Sequence, residues 1–297
     1  MPKLGFIGAG TLGTALAIRL SERGYVVVAV SSRSQTSAEK LAQAIDDCRA
    51  VDSSQAVADA AEMVFITTPD DAIATVVSSV NWHSGQSVVH CSGADSVDSL
   101  EPARKQGVSV GAIHPLQTFA SVEQAINNIS GSTFALEAQE PLLSTLKEIA
   151  TTLDGTWIEL TADDKVLYHA AAVIACNYLV TLVKLATDLW QTFNVAPDRA
   201  TQALLPLLHG TIANIERVGI PKCLTGPIAR GDTGTIRKHI NAMQKADPNL
   251  LPTYLDLGRQ TIPIALAKGR INQHQAEALQ NLLKDSIGTI QETDVQQ

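Results

Sequence analysis

A glycine-rich segment near the start of the sequence has the spacing of a phosphate-binding turn. Six consecutive residues match the pattern G-x-G-x-x-G, between an apolar run and a helical pattern: Gly8, Ala9, Gly10, Thr11, Leu12 and Gly13. The first glycine of such a turn permits a sharp bend, the second lets a pyrophosphate approach the backbone, and the third lets the helix pack on the strand. The free N–H groups at the start of that helix attract phosphate. The pattern therefore predicts a dinucleotide-binding site.

The end of the second apolar run bears on which dinucleotide binds. An NAD site usually has Asp or Glu here, to accept hydrogen bonds from the ribose hydroxyls. This sequence has no carboxylate at that point, and its residues are Ser31, Ser32, Arg33 and Ser34. The Arg33 guanidinium is suited to pairing with a 2′-phosphate, and the serines are suited to donating hydrogen bonds. A solvated loop arginine is the alternative, but the segment favours NADP as the cofactor.

Two later loops are expected to continue the same site. Each follows an apolar run, and their residues are Thr67, Thr68 and Pro69 in one loop, and Cys91 and Ser92 in the other. Ligands of open parallel sheets bind outside the carboxyl ends of the strands, so these loops are expected to contact the ribose and the nicotinamide. Serine and threonine are also ordinary turn residues, which leaves a purely local role open.

A pair of proton-donating groups lies on one face of a predicted helix. Lys165 and His169 are four residues apart, and Asn177 lies further along the same helix. A hydride transfer from a nicotinamide needs a proton donor for the atom that is reduced. We therefore expect Lys165 or His169 to be catalytic and Asn177 to contact the substrate. The alternative is an exposed lysine and a histidine in a routine hydrogen bond between helices.

Substrate contacts are also predicted at His114 and Arg230. His114 follows the apolar run 108–113, which places it at the carboxyl edge of the predicted sheet. Arg230 lies in a loop rich in Gly and Pro, where it is suited to pairing with a substrate carboxylate. His114 is alternatively a turn residue before a proline, and Arg230 is alternatively paired with Asp232. The sequence has no cluster with metal-ligand spacing, so no metal site is expected.

The elements that must position these residues follow two patterns. Up to about residue 160, apolar runs alternate with helical segments, which is typical of a doubly wound, mostly parallel sheet. Strands are predicted at residues 3–7, 25–30, 49–51, 63–67, 87–91, 108–113, 132–136 and 156–159, and helices at 11–23, 37–45, 71–79 and 140–153. Beyond residue 161 only helices are predicted, at 164–193, 196–218, 233–245, 249–268 and 273–289. The fold class is therefore α/β, with a Rossmann domain at 1–160 and an all-α domain at 161–297.

The helix at 164–193 is apolar on most sides, so we expect it to lie in a core or in a subunit interface, and we expect a homodimer through the C-terminal helices. Its apolar stretch 170–183 is interrupted by Asn177 and closed by Lys184, which reads as too short and too polar for a membrane span.

Composition limits the classes of partner. The chain has 297 residues, of which 45% are hydrophobic and 18% are charged, a balance typical of a folded protein. Its 22 Lys and Arg against 30 Asp and Glu give a net charge of −8, without a basic block, which disfavours nucleic acid and anionic membranes as partners. A small-molecule substrate is expected instead. The four cysteines are widely spaced and no signal peptide is recognised, so we expect a cytoplasmic location.

Six segments together resemble one family: residues 4–13, 31–34, 68–73, 114–119, 165–172 and 224–232. They resemble the bacterial Rossmann-like oxidoreductases whose C-terminal half is a helical domain of unknown function. The N-terminal half is also similar to pyrroline-5-carboxylate reductase and ketopantoate reductase. The resemblance implies an NADP-linked reductase whose helical domain, similar to that of 6-phosphogluconate dehydrogenase, often forms a dimer.

The resemblance departs from the wider hydroxyacid dehydrogenase group at one position. That group uses a Lys with an Asn four residues later, and here Lys165 fits while His169 stands in the Asn place.

The leading hypothesis is an NADP-dependent reductase that transfers hydride to a small carbonyl or imine compound bearing a carboxylate. An NADP-binding sensor without turnover is one alternative. Reduction of ketopantoate or pyrroline-5-carboxylate specifically is another.

Overall fold

A single sheet organises the first part of the molecule. The computed structural model describes residues 1–294 of the chain, with side chains up to residue 284, and it divides into compact units at residue 177. Within the described residues, the first unit holds eight strands: β1 Leu4–Ile7, β2 Val27–Ser31, β3 Arg49–Ala50, β4 Met63–Ile66, β5 Ser87–His90, β6 Ser109–Pro115, β7 Thr133–Ala138 and β8 Thr156–Glu159.

The order of these strands is β3-β2-β1-β4-β5-β6-β7-β8. The pairs from β3 across to β6 are parallel, β7 is antiparallel to β6, and β8 is parallel to β7. The sheet is therefore mostly parallel, and the carboxyl ends of β1, β2, β4, β5 and β6 all lie at one edge.

Helices cover the two faces of this sheet. They are α1 Thr11–Glu22, α2 Gln35–Gln43, α3 Ser54–Ala60, α4 Asp70–Ser78, α5 Glu101–Arg104, α6 Val122–Asn128, α7 Leu142–Thr152 and α8 Ala162–Ala175. Successive side chains of a strand point to opposite faces. Phe6 accordingly belongs to one buried cluster, where it stacks on Phe65, while its neighbour Ile7 belongs to the other cluster. The predicted doubly wound α/β fold is confirmed.

The second unit is helical throughout its described residues. Its helices are α9 Asn177–Gln191, α10 Pro197–Val218, α11 Thr233–Ala246, α12 Leu251–Ala267 and α13 Gln273–Asp294. The helix α9 begins at the last residue of the first unit. A separate core packs α11, α12 and α13 together, through residues such as Ile236, Leu255 and Leu279. The helical character predicted for the second half is confirmed, and the domain boundary at residue 160 stays a prediction.

The helix predicted at 164–193 differs from expectation in two ways. A turn at Cys176 separates α8 from α9. The prediction that this helix lies in the core of a single chain is wrong, because Lys165 is the one buried residue of α8 and Thr187 the one buried residue of α9. The subunit interface stays a prediction.

The same segment also corrects the expectation about membranes. By length and composition alone, the segment 162–191 is long and apolar enough to cross a membrane, since a stretch of 18 residues within it has a mean hydropathy of 1.8. The stretch 170–183 alone is too short to span a membrane, but α8 begins before it and α9 continues after it.

Candidate active site

A cleft of about 610 Å³ lies at the carboxyl ends of β1, β2 and β4. The strand order places β1 between β2 and β4, so three loops that are distant in sequence meet here. Its lining includes most of the predicted cofactor residues: Gly8, Ala9, Gly10, Ser31, Ser32, Arg33, Ser34, Thr67, Thr68 and Pro69. We call it the cofactor cleft. Thr11, Leu12 and Gly13 form the first turn of α1 beside it.

The glycine turn has the geometry that its spacing predicts. Gly8 has φ +115°, and a Cβ there would lie 2.7 Å from the backbone carbonyl of Thr67. A Cβ on Gly13 would lie 2.5 Å from the Gly8 carbonyl oxygen, which also accepts a hydrogen bond from Thr67 Oγ1 at 2.7 Å. A Cβ on Gly10 would meet no described atom within 4 Å, so this position opens into free space. Gly8 and Gly13 are therefore required by packing, and Gly10 leaves room for a ligand.

Several polar groups of the cofactor cleft have no hydrogen-bonding or ionic partner among the described residues. The cap of α1 is Gly10, which has no side chain to satisfy the first N–H groups of the helix. Thr68 Oγ1 is buried without a hydrogen-bond partner among the described residues. Within the described part of the chain, the exposed Arg33 makes no ion pair, and Asp52 is the one carboxylate in the lining. Free N–H donors, a free hydroxyl and a free guanidinium fit the phosphates of a dinucleotide.

A second cleft, of about 560 Å³, lies between the end of β6 and one side of α8. We call it the acceptor cleft. Its lining brings together three predicted residues: His114 from the end of β6, His169 from α8, and Asn177. Leu116, Phe119, Ile158 and several small residues of α8 form most of the remaining surface.

A histidine and a tyrosine form a hydrogen-bonded pair in the acceptor cleft. His114 Nδ1 lies 2.8 Å from the Tyr168 hydroxyl. Burial, followed by the charge of Lys165, lowers the pKa of His114 to about 4, and burial raises the pKa of Tyr168 to about 12. The tyrosine is therefore protonated and the imidazole is neutral, so the two groups form an uncharged hydrogen-bonded pair.

Two imidazole nitrogens converge on Gly93. A Cβ added to Gly93 would lie 2.7 Å from His169 Nδ1 and 2.8 Å from His114 Nε2. The two rings meet edge to face, with their centroids 6.0 Å apart. Among the described residues, His169 Nδ1 is buried and has no hydrogen-bond partner, so the routine bond between helices that was the alternative for this residue is absent. The ring nitrogens are available for another hydrogen-bonding group.

Lys165 lies behind this site. Its side chain is 1% exposed, and its Nζ donates a hydrogen bond to the Ser92 carbonyl oxygen at 2.8 Å. Burial lowers the pKa of Lys165, against the opposing charge of Glu137. The alternative of an exposed lysine is wrong, but Lys165 also lines neither cleft. Its contact holds the loop that follows β5.

Further hydrogen bonds fix the same loop. Ser92 Oγ donates to Asp70 at 2.8 Å and accepts from the Asp95 N–H at 2.9 Å. His90 is fully buried, with Nδ1 accepting from the Ser92 N–H and Nε2 bonded to the Ser96 carbonyl oxygen. Burial raises the pKa of the adjacent Cys91 thiol to about 12, so the thiol stays protonated.

The strand order shows which loop lies between the two clefts. Because β5 lies between β4 and β6, its loop at residues 91–95 separates the β4 side of the cofactor cleft from His114. The sequence analysis identified the loops that hold Asp70 and residues 90–93, but it assigned no role to Tyr168 and did not predict that Gly93 meets both imidazoles. The position of Tyr168 between the two predicted catalytic residues was the one available signal for it.

Arg230 belongs to the second unit. It ends a short 3-10 turn, its side chain is 66% exposed, and its nearest ionic partner is Asp232 at 4.0 Å. This pairing is the structural alternative considered for it, and a role in binding substrate stays a prediction.

Comparison with known proteins matches two parts of the chain to domain models. A Rossmann-like domain model matches residues 2–115, and the domain of unknown function DUF2520 matches residues 132–261. No curated protein matches the sequence.

Several solved structures share the fold. A protein from Thermotoga maritima is 27% identical, with 90% of this chain and 100% of that chain aligned and a TM-score of 0.74. A protein from Bacteroides fragilis, named as a candidate NADP oxidoreductase, is 26% identical, with 88% and 98% aligned and a TM-score of 0.70. Pyrroline carboxylate reductase from Plasmodium falciparum, solved with NADP bound, is 12% identical, with 95% and 98% aligned and a TM-score of 0.58.

The two domain matches follow each other along the chain in the order that the motifs predict. The glycine turn and His114 lie in the first match, and Lys165, His169 and Arg230 lie in the second. The chain therefore contains a Rossmann-like domain match followed by a match to the domain of unknown function DUF2520.

Proposed function

We propose that this protein is an NADP-dependent oxidoreductase that transfers hydride to a small carbonyl or imine compound. The observation that carries the proposal is the junction at residues 91–95. There, Ser92 bonds Asp70 beside the cleft with unpaired phosphate-binding groups, and Gly93 lies next to the two imidazoles of the second cleft. The name of the Bacteroides fragilis protein supports the same class of activity.

The cofactor cleft would hold the dinucleotide through groups that have no other partner. The N–H groups of the first turn of α1 would receive the pyrophosphate beside Gly10, and Arg33 with Ser32 would receive the 2′-phosphate. The Ser34 hydroxyl already accepts hydrogen bonds from Ser37 as the cap of α2, so it could add only its own hydrogen. Thr68 Oγ1 offers one more hydrogen bond. When bound, the nicotinamide supplies the hydride.

We assign proton donation to His169 and a positioning role to Lys165. His169 lines the acceptor cleft, whereas Lys165 is buried and donates to the Ser92 carbonyl. A proton donor must reach the atom that is reduced, which favours the histidine. His114, held by Tyr168, places its Nε2 beside the same point, Gly93, and would help to orient the acceptor oxygen or nitrogen.

The test separates cofactor binding from turnover. Purified protein is titrated with NADPH by nicotinamide fluorescence, and NADPH oxidation is then followed with pools of ketones, 2-oxo acids and cyclic imines. We expect His169→Leu to lower kcat about 100-fold while the Kd for NADPH changes less than about twofold. The Lys165→Met variant serves as the comparison, because loss of a loop contact is expected to affect NADPH binding as well. Normal turnover in His169→Leu contradicts the assignment.

Binding of NADPH without oxidation of it by any pool would favour the sensor hypothesis over the reductase. We also propose that the protein acts in the cytoplasm. The four cysteines, which are free in the structure, suit a reducing compartment.

A further inference from the structure

We infer that the acceptor cleft binds an uncharged compound with an apolar body and one polar head, such as a neutral ketone or imine. The inference rests on the proposed function for its reaction, but the binding preference follows from the cleft itself. It replaces the carboxylate-bearing substrate predicted from Arg230.

The lining of the acceptor cleft is apolar over most of its surface. Leu116, Phe119 and Ile158 supply large side chains, and Ala172 and Val173 of α8 supply small ones. The volume of about 560 Å³ is that of a small-molecule site. Such a surface gains free energy by covering an apolar body and gives no hydrogen bonds to one.

The polar groups of the lining are uncharged side chains and two histidines. His114, Tyr168 and His169 form one cluster, while Gln117 and Asn177 supply amides and Thr118 supplies a hydroxyl. The His114 imidazole is neutral, and His169 Nδ1 is buried without a partner among the described residues. A carbonyl oxygen or an imine nitrogen at this cluster accepts hydrogen bonds without needing a countercharge.

This cleft offers a carboxylate no permanently charged cation as a partner. The lining contains no Lys, Arg, Asp or Glu within the described part of the chain. Lys165 lies on the same helix as His169, but its Nζ donates to the Ser92 carbonyl oxygen and the residue lies outside the lining. An anion that loses its water without gaining a cation is strongly disfavoured.

The first experiment compares acceptors that differ only by exchange of a methyl group for a carboxylate. The pairs are 2-hexanone against 2-oxohexanoate, and 2-methyl-1-pyrroline against 1-pyrroline-2-carboxylate, each with saturating NADPH. We expect the neutral member to have a kcat/KM at least about tenfold higher. The carbonyl of the oxo acid is intrinsically more electrophilic, so this preference would come from binding. A higher kcat/KM for the acids overturns the inference.

A binding measurement distinguishes failure of the inference from failure of the proposed function. Saturation-transfer NMR detects 2-hexanone and 2-oxohexanoate on the NADP⁺-loaded protein whether or not either one reacts. If no acceptor oxidises NADPH, the reductase proposal fails for these compounds, while selective binding of 2-hexanone still supports the inference. Equal or stronger binding of 2-oxohexanoate contradicts it.

Two arginine substitutions on α8 test whether the acceptor cleft causes the preference for uncharged acceptors. Ala172→Arg adds a cation to the lining, and we expect it to shift the preference toward the acid at least about tenfold. The matched control is Val26→Arg, since Val26 is 52% exposed, outside the lining and outside α8 and α9. Ala175→Arg, also in the lining, repeats the test if Ala172→Arg fails to bind NADPH. Equal shifts in the lining variants and in the control overturn the inference.

Discussion

The lack of a side chain at Gly93 and at Gly10 has different consequences for the two clefts. A Cβ on Gly93 meets both imidazoles of the acceptor cleft, whereas a Cβ on Gly10 meets open space at the mouth of the cofactor cleft. We therefore expect Gly93→Ala to lower kcat at least about tenfold, because the two rings must move away from their converging geometry, with the Kd for NADPH little changed.

Gly10→Ala is the matched control for this prediction. It should leave the melting temperature within a few degrees and raise the Kd for NADPH, because its methyl group occupies the approach of the pyrophosphate. Steady-state kinetics and fluorescence titration of both variants check the pair. The same pattern of loss in both variants would mean that the two clefts do not have separate roles.

Arg33 determines the choice of cofactor in the proposed site. Arg33→Ala removes a charge-assisted pair that only the 2′-phosphate of NADPH can make, so the Kd for NADPH should rise about tenfold or more while that for NADH stays nearly constant. Asp52→Asn is the opposite change in the same cleft and should strengthen NADPH binding, because it removes a negative charge from the lining. Titration of each variant with both cofactors is the measurement, and equal losses for NADPH and NADH would exclude Arg33 from the site.

At the scale of elements, α8 and α9 present apolar residues to solvent. Leu167 and Ile174 of α8 are 76% and 63% exposed, and Val180 of α9 is 69% exposed. Patches of this kind mark interaction surfaces. We propose that a second copy of the chain covers them, in a homodimer formed through these helices.

The dimer prediction is tested by sedimentation at several protein concentrations. Wild-type protein should sediment as a dimer, and Leu167→Asp should raise the dimer dissociation constant at least about tenfold, because it buries a charge in the interface. Val26→Asp is the control, since Val26 is a half-exposed apolar residue away from both helices. A wild-type monomer contradicts the proposal, and a protein that stays in solution only with detergent would favour a membrane as the partner of residues 162–191.

For the whole molecule, the buried histidines make stability depend on pH. Burial, followed by the charge of Lys165, lowers the pKa of the fully buried His90 to about 4. The unfolded chain, with an ordinary histidine pKa near 6.5, therefore binds more protons than the folded chain between these two values. Stability is present in full above about pH 6.5 and is lost as the pH falls toward 4.

His90 alone should contribute a loss of about 2 kcal/mol in the free energy of unfolding between pH 7 and pH 5. Urea unfolding followed by circular dichroism at both pH values measures it. In His90→Gln the difference between the two pH values should shrink by about that amount, whatever the stability of the variant at pH 7. An unchanged difference would show that His90 does not titrate in this range.

The sequence by itself determined the features that depend on neighbours along the chain. Apolar runs of four to seven residues predict buried strands of a parallel sheet, and the glycine spacing predicts the turn between β1 and α1. The short helices α3 and α6 were missed because each has only seven residues. They depend on side-chain caps from Ser53 and Ser121 and on packing against the sheet, and neither produces a periodic pattern.

Only the tertiary structure decided how the site is assembled. Strand order placed the loop after β5 between the two clefts, which no local pattern specifies. Lys165 and His169 have equivalent spacing on one helix face, but packing gave them different positions. The Lys165 ammonium is buried and bonds the Ser92 carbonyl oxygen, whereas His169 lines the acceptor cleft. Gly93 and Tyr168 gained their roles from contacts between residues more than 20 positions apart in the sequence, with His114 and His169 as partners. Spacing along the chain predicts which residues share an element, whereas packing between elements determines which of them meet a ligand.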